Sequence, residues 1–191
     1  MLVGTQKVVA IGASTGGVTA LEMVLSTIPN YVPPILIVQH MPPNFTRLFA
    51  EKLNSDLKLP VKEAQTGDIL APGRVFIAPG GKHMKIVSRG SSLAIECFVG
   101  EKVHFVMPSA DVLFGSVADL VGQNAVGVIL TGVGVDGAAG LLKMRNSGAK
   151  TIGQDKASCE IYGMPKVAFD SGAVEHVVPL ERIADKIMSL V

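Results

Sequence analysis

The sequence predicts an α/β fold: a mostly parallel, doubly wound sheet of the Rossmann-like kind, with an antiparallel hairpin excursion. Three observations predict it. Short apolar, β-branched runs recur along the chain, and several end in glycine. Patterns with the period of a helix follow most of these runs. One central pair of runs is instead joined by Arg89-Gly90-Ser91, which signals a hairpin. Alternating strand and helix signals are how a parallel sheet with covering helices is written in sequence.

Lys7-Val-Val-Ala-Ile11 reads as the first strand and runs into the glycine-rich turn Gly12–Gly17. Val18, Leu21, Val24, Leu25 and Ile28 then share one helical stripe, with Pro29 as its stop. Pro34 to Gln39 reads as a second buried strand. Asn44 is placed to cap a helix carrying Phe45, Leu48, Phe49 and Leu53. Val75-Phe-Ile77 is a short strand, and Lys82–Ser88 with Ser92–Phe98 form the hairpin. Ser109 precedes a helix with Val112, Leu113, Val117 and Leu120. Ala125 to Thr131 is a third strong strand, and Leu141, Leu142 and Met144 mark the helix after it. Thr151–Gly153 and Ala173–Val178 are shorter strands, and Pro179 opens a last amphipathic helix from Leu180 to Leu190. Residues 1–191 carry no repeat or charged linker, so one domain is expected.

Composition removes several function classes. Seventeen basic against 16 acidic residues leave a net charge of +1, with no basic cluster to neutralise phosphates, so no nucleic-acid partner is expected. Hydrophobic residues make up 48% of the chain and mean hydropathy is +0.44, yet no apolar run approaches the ~18–20 residues that span a bilayer. Membrane insertion is therefore not expected. Cys97 and Cys159 make neither a disulfide framework nor a metal-ligand spacing, which fits a reducing cytoplasm. Both read as buried thiols, and Met23, Met84, Met144 and Met188 as core residues.

In parallel βαβ units the carboxyl ends of the strands share one edge, outside which ligands bind. Ser14 follows the first strand, His40 the second, and Asp136 the strand at Val126–Leu130. Together they are the parts of an acyl-transfer triad: Ser14 the nucleophile, His40 the general base, Asp136 the carboxylate that orients the imidazole. Gly12-Ala-Ser-Thr-Gly16 also has G-x-S-x-G spacing in a strand–turn–helix setting. Free N–H groups at the following helix start can stabilise an oxyanion there.

Each residue also has a plainer reading. Glycine-rich turns after a first strand hold nucleotide phosphates, which makes a nucleotide-binding regulatory module using Gly12–Gly17 the alternative. Against it, the turn is neither G-x-G-x-x-G nor Gly-Lys-Ser/Thr, and the second strand ends in Gln39-His40 rather than an acid for a ribose. A histidine after a strand is often a loop hydrogen-bonder, and an aspartate between glycines often a turn residue. Asp155 also follows a strand signal, although capping the next segment explains it. His83, His104 and His176 read as structural.

Further segments carry a resemblance. Val8–Gly17, Val38-Gln-His-Met-Pro42, Ala78-Pro-Gly-Gly81 with His83, Pro108-Ser-Ala-Asp-Val-Leu-Phe114, Ile129-Leu-Thr-Gly132 with Asp136-Gly-Ala138, and Gln154-Asp155 with Tyr162-Gly-Met-Pro-Lys166 recur together. The chain resembles, over nearly its whole length, the catalytic domain of the chemotaxis protein-glutamate methylesterase family, the CheB type. The resemblance implies hydrolysis of γ-glutamyl methyl esters on methyl-accepting chemoreceptors, deamidation of receptor glutamines, no cofactor, and Ser14, His40 and Asp136 as the triad. It also implies an oxyanion site from backbone N–H groups near Thr15 and Val133. Two departures stand out. Family members commonly have methionine at 133 and a polar residue at 135, where this chain has valine. They also usually carry an N-terminal phosphorylatable receiver domain, a partner for which residues 1–191 show no sequence signal.

Overall fold

A computed structural model describes residues 6–191; the first five residues of the expected domain lie outside that description. Seven strands form one parallel sheet in the order β3-β4-β2-β1-β7-β8-β9. They are β1 (Val8–Ala13), β2 (Ile35–Gln39), β3 (Val61–Glu63), β4 (Val75–Ile77), β7 (Ala125–Ile129), β8 (Lys150–Gln154) and β9 (His176–Val178). The remaining two, β5 (His83–Arg89) and β6 (Ser92–Phe98), pair antiparallel as the expected hairpin. The α/β class and the hairpin excursion both stand.

Alternation along the strands divides the core into two. Val9, Ile11, Ile35 and Ile37 pack with α1 (Gly17–Thr27), α2 (Phe45–Asp56) and α6 (Ile183–Leu190). Val8, Ala10, Leu36 and Val38 face α3 (Ala110–Leu120), α4 (Ala138–Asn146), α5 (Met164–Asp170) and the hairpin. Strands buried on both faces need continuous apolar runs, and the six residues of β1 are all buried. Replacing a fully buried residue such as Leu21 or Leu36 by alanine would cost about 2–5 kcal/mol.

The sequence reading needs several corrections. It contained neither β3 nor α5. β3 is three residues long, and α5 is seven residues with proline just inside its start, so neither carries enough period to read. The stripe of α2 is Thr46, Phe49, Ala50 and Leu53, which leaves Phe45 and Leu48 exposed. Asn44 precedes that helix in a positive-φ conformation and its side chain caps nothing. The last helix is two pieces, a 3₁₀ turn at Leu180–Arg182 and then α6. Met84 and Met144 are buried, whereas Met23 lies on the surface. Cys97 and Cys159 are half-buried, and burial pushes both thiols up to about 11.

Candidate active site

Register brings Ser14 and His40 to one level of the sheet on neighbouring strands, with no hydrogen bond between their side chains among the described residues. Ala13 is the partner of Gln39 in the β1–β2 ladder, so the next residue on each strand leaves the sheet at the same level. The His40 N–H still donates to Ala13 O at 3.1 Å. Beyond β7, Thr131 O accepts the Ser14 N–H at 3.0 Å, which ties the serine turn to the strand on its other side. Ser14 O accepts from Gly17 N–H at 2.8 Å, closing the turn into α1. Gly16, at φ 78°, makes that reversal without strain. Gly132 is a close-approach glycine: a Cβ there would lie 2.6 Å from Ser14 Cβ and 2.5 Å from Met164 Sδ.

Asp136 supplies the electrostatic centre. It is 2% exposed, and its Oδ2 lies 2.8 Å from His40 Nε2. Oδ2 also accepts Ala110 N–H at 2.7 Å, while Oδ1 accepts the Ser109 hydroxyl at 2.6 Å and Asp111 N–H at 3.2 Å. The carboxylate thus sits on the N-terminus of α3, where free N–H groups and the helix dipole favour negative charge. Burial alone would raise its pKa. The hydrogen bonds from His40, Ser109 and Ala110 outweigh burial and hold it below the usual carboxylate value. Facing an ionised acceptor, His40 Nε2 carries the proton, which leaves Nδ1 as the ring's acceptor nitrogen.

Thr15 and Val133 lie on the rim beside these groups, Thr15 exposed and Val133 59% exposed. Neither backbone N–H donates to an acceptor among the described residues. Thr131 is buried beneath them, and its hydroxyl, with one hydrogen to donate, lies 3.0 Å from Thr15 O and 3.2 Å from Ile161 O. A cleft of about 390 Å³ opens beside His40, walled by Met41, Pro42, Phe105 and Met107. Phe105 is 92% exposed at its lip.

The other sequence candidates lie in ordinary roles. Asp155 Oδ1 accepts the Ser158 N–H at 3.0 Å and its hydroxyl at 2.5 Å, as a local cap. His83 is buried, with Nε2 on Glu101 O at 2.8 Å. His104 Nε2 meets Asp111 Oδ2 at 3.0 Å, and His176 lies 3.7 Å from Glu175. Candidate metal-binding atoms of His104, Asp111 and Asp136 lie within 4.8 Å of one another. All of those carboxylate oxygens already accept hydrogen bonds; Asp111 Oδ1, for one, takes Gly140 N–H at 2.6 Å.

Sequence reasoning missed the Ser109 and Ala110 donors to Asp136, although a serine just before an apolar helix was a visible capping signal. The nucleotide-binding alternative is corrected by packing. The glycines of the turn approach protein rather than leaving room for phosphate. A Cβ on Gly12 would lie 2.8 Å from Ala110 Cβ, and one on Gly16 would lie 2.8 Å from the Glu160 carboxylate. An acid at that place repels a phosphate.

Known proteins resemble this chain over nearly its whole length. The family model described as CheB methylesterase matches residues 9–187. A Hahella chejuensis protein named protein-glutamate methylesterase/protein-glutamine glutaminase 2 is 52% identical over 190 residues, covering 100% of this chain and 52% of its own length. An Agrobacterium fabrum protein named protein-glutamate methylesterase/protein-glutamine glutaminase is 53% identical over 186 residues, covering 97% and 53%. The chain therefore spans about half the length of these curated relatives. The crystal structure of the Thermotoga maritima CheB methylesterase catalytic domain superposes with a TM-score of 0.94 at 38% identity, covering 97% of this chain and 98% of that one. The family model and the fold match each cover almost every described residue, and on that coverage the chain belongs to the CheB methylesterase family.

Proposed function

We propose that this chain is a serine esterase and amidase that hydrolyses γ-glutamyl methyl esters on methyl-accepting chemoreceptors and deamidates receptor glutamines, without a cofactor. The observation that carries the proposal is the buried, ionised Asp136 held 2.8 Å from the His40 ring. A carboxylate so placed fixes the imidazole's tautomer and supports its charged form.

Ser14 Oγ attacks the side-chain carbonyl carbon as His40 Nδ1 takes its proton. The carbonyl oxygen becomes an oxyanion that accepts the N–H groups of Thr15 and Val133. The close packing of Gly132 on Ser14 supports the N–H of the residue after it, Val133, as the second donor. A backbone donor does not need the family's common methionine. His40 then gives its proton to the departing methoxide, releasing methanol, or to the amide nitrogen, releasing ammonia. Water, losing a proton to His40, hydrolyses the glutamyl-Ser14 ester and returns free serine and glutamate.

No described helix is long and apolar enough to cross a membrane. We place the reaction in the cytoplasm, with the receptor as substrate and the phosphorylatable receiver domain of the usual family architecture as regulatory partner. Methanol release from methylated receptor membranes tests the activity. Ser14→Ala should abolish release while melting at the parent's temperature; near-normal turnover by a folded Ser14→Ala protein refutes the covalent route.

A further inference from the structure

Beyond Ala13 and Gln39 the β1–β2 ladder stops, yet the proton transfer proposed above requires Ser14 and His40 to keep a fixed spacing. Gln39 lies at that point. Alternation turns it towards the α1 layer with Ile35 and Ile37, and it is 3% exposed. Its Nε2 donates to Ser14 O at 2.9 Å and to His40 O at 3.3 Å. Two carbonyl oxygens cannot bond each other, and an uncharged bridge between them needs one group with two hydrogens. A side-chain NH₂ is that group. The arrangement leaves Gln39 Oε1 buried without a hydrogen-bond partner among the described residues. A methionine would fill the space without that orphan, so packing alone does not account for glutamine. The neighbouring helix also makes room for the amide. A Cβ on Gly17 would overlap Gln39 Oε1 and lie 2.8 Å from Ala13 Cβ.

We infer that Gln39 is a positioning residue whose amide NH₂ bridges the Ser14 and His40 carbonyls and sets the distance over which the serine proton is transferred. This rests on the proposed roles of Ser14 and His40. Small misplacements of reacting groups cost up to about 100-fold in rate. Gln39→Met should therefore lower kcat per active site by ~10–100-fold on methylated receptor, with KM within about twofold. Inactivation by a fluorophosphonate, which reports the nucleophilicity of Ser14 and titrates intact sites, should slow in parallel. Gly17→Ala, which displaces the amide without removing it, should show the same pattern and decides the matter if Gln39→Met fails to fold. Folded Gln39→Met with kcat per titrated site within twofold of the parent overturns the inference. So does a loss confined to melting temperature or to the number of titratable sites. Ser14→Ala is run alongside: if it is inert while Gln39→Met is fully active, only the positioning role falls. If folded Ser14→Ala is active, both readings fall.

Discussion

Replacing Asp136 by asparagine tests the site and the fold with one atom. The carboxylate accepts four donors, two on each oxygen. Rotating the amide so that its oxygen keeps His40 and Ala110 puts the NH₂ against Ser109 and Asp111. The Ser109 hydroxyl can turn to accept, but Asp111 N–H is left facing a donor. That orphan costs about 1–3 kcal/mol. Losing the negative charge at the α3 N-terminus adds about 0.5–2 kcal/mol. The sum, roughly 1.5–5 kcal/mol, lowers Tm by about 3–20 °C in a chain of this size. His40 keeps its tautomer in this arrangement but loses support for its charged form, so kcat should fall by less than the ~10⁴-fold seen where the serine-protease aspartate's loss also costs the tautomer, on the order of 10²–10³-fold. The pH dependence has a definite sign. The Asp136 pKa is lower folded than unfolded, so its stabilisation is complete above the unfolded value of about 4 and is lost as pH falls through the folded one. The Tm gap between parent and Asp136→Asn should accordingly narrow below about pH 4. Calorimetry at pH 7 and pH 3.5, with kcat measured on methylated receptor, checks all three. A variant that melts within ~2 °C of the parent at pH 7 refutes the capping argument. A crippled Asp155→Asn beside a nearly normal Asp136→Asn refutes the choice of acid.

Gly132→Ala drives a methyl group into Ser14 Cβ and Met164 Sδ, and should cost about 1–3 kcal/mol by overpacking and at least tenfold in kcat. Urea unfolding and initial rates check this, and an unchanged kcat would remove the claim that Gly132 sets the serine's position. With both thiols pushed up to about 11, Cys97 and Cys159 should react with a disulfide reagent at pH 7.5 far more slowly than in urea. Equal rates in the two conditions would contradict the burial effect. Ser109→Ala removes one donor to Asp136 and the cap on Val112, and should lower stability by about 1–2 kcal/mol. A parental Tm would show that the remaining donors suffice.

The strong strands were legible because residues 8–13, 35–39 and 125–129 are buried on both faces and so are written as unbroken apolar runs. The three residues proposed for the triad could be picked out for a related reason: each follows one of those strands, and a parallel sheet sends all such ends to one rim. What escaped depends on contacts between distant segments. Nothing near Ser109 says that its hydroxyl meets a carboxylate 27 residues further along. Gln39 was visible only as a neighbour of His40, since its bond to Ser14 exists only after β1 and β2 pair. Gly132 looked like turn chemistry, and its close approach to Ser14 belongs to tertiary structure. The outward position of Phe45 and Leu48 follows from where α2 meets the sheet, which its own periodicity does not contain.

The central place of β1 has a consequence for how the molecule could be divided. Its partners are β2 on one edge and, on the other, β7, whose Ala125 pairs with Val8 from the far end of the chain. Gly90, at φ 62° in an open turn at the tip of the hairpin, lies between those halves in sequence. A chain severed there gives one piece with Ser14 and His40 and another with Asp136 and its α3 cradle. Neither piece holds all three residues of the proposed triad. The edges that must meet again are the β1–β7 and β5–β6 ladders, together with the packing of α3 on β1. Turnover restored on mixing would therefore report the closing of that seam, and the same residues would serve as a split enzyme whose activity registers the nearness of whatever is fused to its two halves.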